Sequence, residues 1–190
     1  MEPKRKILHD GFVRVERDEA TGHEIVVATD SVAVFIYDRR SRQVVLLSQS
    51  RQPVVREDNP EGVITEVVAG RFDKEIGVKG LVIQEVREET GLTIGEEDVQ
   101  ILNNGVPLAL SPGILTERTY VVLVEREFDG EDMVNTERVF GVVGEGEKIT
   151  RRIIPLADLM GMTFEDMKTW ALFQYFLNTL RSRGEDPKDL

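Results

Sequence analysis

At 190 residues the chain suits one domain, or one domain with a modest appendage, and is long enough to bury a full core. Acids outnumber bases 35 to 24, a formal net charge of −11, which argues against nucleic acid or an anionic membrane as the main partner and means that an anionic ligand must be held by local basic groups or metal cations. The absence of cysteine excludes disulfides, thiolate zinc sites and thiol nucleophiles, and no apolar run approaches the ~18 residues of a spanning helix, so the chain is expected to be soluble and cytoplasmic.

The first half reads as β-structure. Residues 12–16 alternate, turn residues occupy 18–22, and the extended pattern resumes over 24–28. This leading segment, residues 1–28, has too few apolar residues for its own core. A two-stranded ribbon is marginal in water, so it is expected to pack on the main domain, residues 29–190, or on another subunit. Residues 31–37 form a β-branched apolar run expected to be a buried strand, with residues 44–49 as its hairpin partner across the charged turn 38–42. Residues 56–62 read as an exposed loop, and 63–68 as another strand.

The spacing changes at Gly70. Val78, Leu81, Val82 and Val86 predict a helix running to about residue 89, with Gly91 as its C-terminal cap. Strand patterns return at 100–102, 119–124 and 151–154. A short helix is expected over 156–160, and a longer one over 164–180 with Trp170, Phe173, Phe176 and Leu177 as its buried stripe. Mixed strands with a few helices imply an α+β fold or an α/β/α sandwich.

On the first helix Glu85 and Glu89 are i,i+4 neighbours and Glu85 and Glu88 are i,i+3 neighbours, so three carboxylates crowd one edge while the aliphatic residues bury the other. Such an oxygen-only cluster suits Mg²⁺ or Mn²⁺. A bare acidic face would otherwise read as solvated helix surface.

The surrounding residues make it more than that. The stretch from Gly70 to Leu92 resembles the Nudix box, G-x5-E-x7-R-E-U-x-E-E-x-G-U, with Gly70, Glu85, Val86, Glu88, Glu89, Gly91 and Leu92 all in register. Two positions depart: Ile76 replaces the family's Glu and Gln84 its Arg. One acid and one base are lost together, which avoids leaving a single charge unpaired. The resemblance implies a Nudix-type α/β/α sandwich with a mixed β-sheet and an N-terminal antiparallel extension.

Flanking residues are similar to the nucleotide-sugar branch, which includes ADP-ribose and GDP-mannose pyrophosphatases. Gln49 and Arg51 resemble its Gln-x-Arg, with Arg51 as a substrate ligand. Glu66 to Gly70 resembles the strand entering the box, which implies the Ala69 carbonyl as a metal ligand beside Glu85 and Glu89. Ser111, Pro112 and Gly113, followed by Glu117 and Arg118, are similar to the loop near the terminal sugar, so Glu66, Ser111, Gly113, Glu117 and Arg118 join Arg51 as candidate substrate-binding residues. The resemblance also implies Glu145 and Glu147 as candidate catalytic acids, on a loop where Gly141, Gly144 and Gly146 leave the backbone free to close, with Glu88 on the helix as the third. Asp166, Lys168 and Thr169 resemble a D-x-K-T feature of the GDP-mannose subgroup, although a helix cap and a surface lysine explain them equally.

The resemblance implies hydrolysis of the diphosphate of a nucleoside diphosphate sugar, with Mg²⁺ (or Mn²⁺) neutralising the phosphates and activating a water, and Glu147 or Glu145 as base. The alternatives are a Nudix hydrolase of dinucleotide polyphosphates and a non-catalytic nucleotide-sugar-binding module, the latter favoured by Ile76 and Gln84. No serine–histidine pairing is evident, both histidines, His9 and His23, being N-terminal. Similar hydrolases pair through the N-terminal segment, which implies a homodimer.

Overall fold

The computed structural model describes residues 4–73, 75–136, 138–141 and 148–187. The chain begins with three antiparallel strands, β1 (Arg5–Asp10), β2 (Arg14–Asp18) and β3 (Glu24–Val27), which form a small sheet of their own. The sequence pattern indicates only a two-stranded ribbon. β1 is exposed along its whole length, so no burial alternation marks it. Ion pairs knit this sheet: Glu16, buried between strands, is met by Arg14 at 2.6 Å and Arg5 at 3.5 Å. It is tied to the rest of the chain where Val26 N–H donates to the Ile114 carbonyl (2.7 Å) and Thr116 N–H to the Val26 carbonyl (3.0 Å).

The main sheet contains β4 (Ser31–Asp38), β5 (Gln43–Ser50), β6 (Val63–Glu66), β7 (Val68–Arg71), β8 (Val99–Ile101), β9 (Leu108–Ala109), β10 (Arg118–Arg126), β11 (Val139–Phe140) and β12 (Ile149–Pro155). Its spine runs β11-β12-β5-β4-β10-β8, with β4 and β10 parallel and the other pairs antiparallel. Helix α1 (Val78–Thr90) covers one face, and α2 (Leu156–Leu159) and α3 (Met167–Ser182) cover the other. This is the expected sandwich with a mixed sheet.

Period-two alternation explains why β4 reads as one continuous apolar run. Val32, Val34 and Ile36 join the core beneath α1, whereas Ala33, Phe35 and Tyr37 join the core beneath α3. Both faces are covered, so every residue of β4 is buried. On α3 the buried stripe comprises Thr169, Leu172, Phe173, Phe176, Leu177 and Leu180. Trp170, expected inside, is 52% exposed: α3 begins at Met167, three residues later than expected, and its inward face is set by Thr169 and Phe173. The turn after β4 is held by Asp38, whose carboxylate accepts from the Ser41 hydroxyl, from the Ser41 N–H (3.0 Å) and from the Phe128 N–H (3.0 Å).

One departure from a simple meander positions the functional residues. β4 and β5 pair only near their hairpin, from Ile36↔Val45 to Asp38↔Gln43. Beyond that they diverge, and the expected single strand over 63–68 fills the gap as two: β6 pairs with β5, and β7 pairs with β4. Val67, between them, donates its N–H to Thr169 Oγ1 on α3 (2.9 Å). Thr169 is in turn held by Asp166, which caps α3 by accepting from Thr169 N–H (2.9 Å) and Oγ1 (2.7 Å). A buried amide leaving one ladder for another needs a partner, and α3 supplies it.

Candidate active site

The split in the sheet opens a cleft of about 600 Å³. β6 ends in Glu66, only 3% exposed, which a carboxylate tolerates only when it is paired. Its Oε1 accepts from Gln49 Nε2 (2.6 Å) and from Arg51 Nε (2.9 Å) and Nη2 (2.8 Å) at the end of β5. The Gln-x-Arg motif and the strand entering the box are thus two halves of one charged network. Arg51 is engaged from the side and stays partly exposed to the cleft.

β7 carries the opening glycine. A Cβ on Gly70 would stand 2.1–2.4 Å from the Glu85 carboxylate and Cγ, so the bare glycine leaves room for the Glu85 side chain where it lies, and a larger residue would displace it. Next to it, Ala69 N–H donates to Glu89 Oε2 (3.1 Å). Glu89 is not on an exposed edge, as the helix spacing alone suggests, but 5% exposed against the strand. At the far end of α1, Gly91 adopts φ +74° and donates its N–H to the Arg87 carbonyl (3.0 Å), the expected cap.

The two departures from the box find distinct surroundings. Ile76 packs against the core under α1, and Gln84 Nε2 donates to Glu88 Oε2 (3.3 Å). An apolar contact and a neutral amide bond stand where the family pattern places an acid and a base.

Glu66, Ala69, Gly70, Glu85, Glu88 and Glu89 all line the cleft, as do Arg51 and Glu117. Glu117 is anchored by Ser31 Oγ (2.6 Å), itself bonded to Thr119 Oγ1 (2.8 Å). Ser111, Gly113 and Arg118 are not among the lining residues. The Ser111 carbonyl accepts from the N–H groups of Ile114 and Leu115, closing a turn that docks the N-terminal sheet, and Arg118 gives its backbone N–H to Asp30 Oδ1 (3.0 Å). Leu110, Phe12, Asp73, Arg71 and Lys168 line the cleft in their place. Lys168 was legible from the short D-x-K-T pattern, whereas Arg71 follows the opening glycine at a position that the box leaves unspecified. Phe12 and Leu110 carry no sequence signal toward the site.

Glu145 and Glu147 lie outside the described residues. The described flanks of their segment are both tied to the end of α1: Gly141 N–H donates to the Glu88 carbonyl (3.3 Å), and Arg151 Nη1 to the Thr90 carbonyl (2.8 Å). Burial pushes the Arg151 guanidinium below its usual range, with Asp132 opposing. Among the described residues its Nε finds no hydrogen-bond partner.

Among the described residues six carboxylates, Glu66, Asp73, Glu85, Glu88, Glu89 and Glu117, share the cleft with three cations, Arg51, Arg71 and Lys168. Among the described residues no three acidic or histidine side chains are clustered tightly enough to hold an ion as they stand. The chemistry of the donors nevertheless fits a hard divalent cation, being carboxylate and carbonyl oxygen throughout. A negative cleft also needs such a cation before it can take an anion.

A NUDIX domain is matched over residues 27–172, most of the chain and all of the cleft except Phe12. The chain belongs to the Nudix family. This Nudix hydrolase is 27% identical over 177 residues to a GDP-mannose pyrophosphatase of Yersinia pestis (strain Pestoides F), covering 88% of this chain and 83% of that protein. It is 29% identical over 102 residues to a GDP-mannose pyrophosphatase of Enterobacter sp. (strain 638), covering 54% and 50%. In fold it is similar to the crystal structure of an ADP compounds hydrolase, with a TM-score of 0.62 at 16% identity over 97% of this chain and 98% of the other. Nudix hydrolases generally use divalent metal ions, in keeping with the oxygen donors here.

Proposed function

We propose that this Nudix hydrolase cleaves the diphosphate of a nucleoside diphosphate sugar, of the GDP-mannose or ADP-ribose type, in a Mg²⁺-dependent reaction giving a nucleoside monophosphate and a sugar phosphate. The observation that carries this reading is the junction at β7, where Gly70 admits Glu85, Ala69 holds Glu89, and the Arg51–Glu66 network stands across the same cleft. The similarity to GDP-mannose pyrophosphatases over 88% of the chain supports the substrate class.

Glu85, Glu89 and the Ala69 carbonyl would hold the Mg²⁺, with Glu88 beside them. When bound, the cation supplies charge neutralisation and Lewis-acid polarisation of the diphosphate. Arg51 offers its remaining Nη donors to substrate oxygens, its orientation fixed by Glu66, which Gln49 also holds. A water adds to one phosphorus, the bond from that phosphorus to the bridging oxygen breaks, and the other phosphate leaves. The proton of the water passes to a carboxylate, for which we assign Glu147 or Glu145. Lys168, at the start of α3, adds a third positive contact to the cleft.

The enzyme is proposed to act in the cytoplasm as a homodimer. Among the described residues no helix is long and apolar enough to cross a membrane. The wholly exposed edge strand β1 and Phe12, 98% exposed yet lining the cleft, support burial of the N-terminal sheet by a second subunit. Sedimentation should give twice the 21.5 kDa chain mass.

The deciding experiment is a panel of nucleoside diphosphate sugars and dinucleotide polyphosphates with Mg²⁺ or Mn²⁺, read as phosphatase-sensitive product. Turnover confined to dinucleotide polyphosphates overturns the substrate class, and binding without turnover makes the protein a sensor. Ile76 and Gln84 do not favour the sensor reading, since each has a structural role that leaves Glu85, Glu88 and Glu89 in the cleft.

A further inference from the structure

We infer that Arg71 is an anion-binding residue of this cleft, holding a phosphate oxygen of the diphosphate from the side of the sheet opposite α1; the inference rests on the proposed function and names a ligand-binding group within it. The argument begins with register. In the antiparallel pair of β4 and β7, Arg71 stands directly across from Ser31 and Gly70 across from Val32. Directly opposed residues project from the same face, and successive residues from opposite faces. Gly70 therefore presents its bare α-carbon to Glu85 on α1, while Arg71 shares the face of Ser31, whose hydroxyl anchors Glu117. Arg71 is the last residue of its strand, where the cleft reaches both faces, and it lines that cleft.

The second observation concerns pairing. Of the three cations that line the cleft among the described residues, Arg51 gives its Nε and Nη2 to buried Glu66. Arg71 is exposed, and among the described residues its guanidinium makes no hydrogen bond or ion pair, although five further carboxylates line the same cavity. All of its donors remain for a ligand, in the fork geometry that matches two oxygens of one phosphate. With cation-holding carboxylates on one wall and an uncommitted guanidinium on the other, a dianionic diphosphate is gripped from both sides. Neither wall alone balances its charge.

The test uses the full chain and methylenediphosphonate, a diphosphate whose bridging carbon resists hydrolysis, titrated calorimetrically in Mg²⁺ buffer. Arg71→Gln should weaken its binding on the order of 10-fold, and Arg71→Lys should restore part of the loss through a point charge lacking the fork. Arg40→Gln, which removes an exposed pair with Glu127 far along the chain from the cleft, should change nothing. With whichever nucleotide sugar the wild type cleaves, Arg71→Gln should raise KM about 10-fold while changing kcat less than about 3-fold. Equal affinity and equal KM in wild type and Arg71→Gln overturn the inference while leaving the proposed function intact. Weakened probe binding in a protein that cleaves no nucleotide sugar supports the anion site and overturns the proposed function instead. A folded wild type that takes up no probe, yet turns over substrate, also overturns the inference.

Discussion

The α-carbon of Gly70 lies so close under Glu85 that a methyl group there would stand 2.1 Å from the carboxylate carbon. With no side chain at Gly70, the Glu85 carboxylate can lie directly against strand β7. Gly70→Ala is therefore expected to displace the Glu85 side chain from the strand, costing about 1 kcal/mol of stability and on the order of 10²-fold in kcat/KM, since Glu85 leaves its place in the cleft. Thermal unfolding and steady-state kinetics check both. A variant with unchanged Tm and unchanged activity would show that the contact relaxes without consequence.

Glu89 is buried and accepts the Ala69 N–H. Glu89→Gln keeps an oxygen able to take that hydrogen bond but removes the charge. It should retain the fold, lose on the order of 10²-fold or more in turnover, and bind Mn²⁺ more weakly in a spin-resonance titration. Wild-type Mn²⁺ affinity together with wild-type turnover would remove Glu89 from the proposed ligand set.

Thr169 bridges two elements, taking the Val67 N–H while donating to the Asp166 cap. Thr169→Val conserves the shape but orphans a buried amide, a loss of about 1–3 kcal/mol. Because Val67 sits at the break between β6 and β7, hydrogen exchange at Val67 and Val68 should accelerate more than at β10. Uniform acceleration across the sheet would mean that the bridge stabilises the fold generally and not the break.

Asp38 is held below the usual carboxylate range: burial alone would raise its pKa, but the Ser41 hydroxyl and the N–H groups of Phe128, Ser41 and Arg40 outweigh it. A carboxyl whose folded pKa is depressed contributes stability that is fully present above the unfolded value, ~3.9, and is lost as pH falls toward the lower folded value. Asp38→Asn should cost about 1–3 kcal/mol at neutral pH and flatten the decline of stability below about pH 4, measured by urea unfolding from pH 2.5 to 7. An unchanged slope would assign the acid sensitivity to other carboxylates.

Local periodicity was enough to read much of this protein from its sequence. Helix α1 and its Gly91 cap, the buried run of β4, the hairpin to β5 and the acidic spacing of Glu85, Glu88 and Glu89 are written in neighbours a few residues apart, where 3.6- and 2-residue periods act directly. The same box pattern pointed to Ala69 and Gly70, and the pair Gln49 and Arg51 was legible as a motif. What only the tertiary structure decided are the relationships over long separations. Divergence of β4 from β5 breaks an apparently single strand into β6 and β7, Arg51 meets Glu66 across 15 positions, and Thr169 satisfies an amide 102 positions away. β1 carries no pattern in the sequence because an exposed edge strand buries nothing that could impose one. Arg71, Lys168, Leu110 and Phe12 become neighbours of the carboxylates only when strand register and helix docking fold four separate segments around one cleft. Burial and charge pairing are properties of the assembled layers, so the linear pattern could name the reactive carboxylates but not the walls that enclose them.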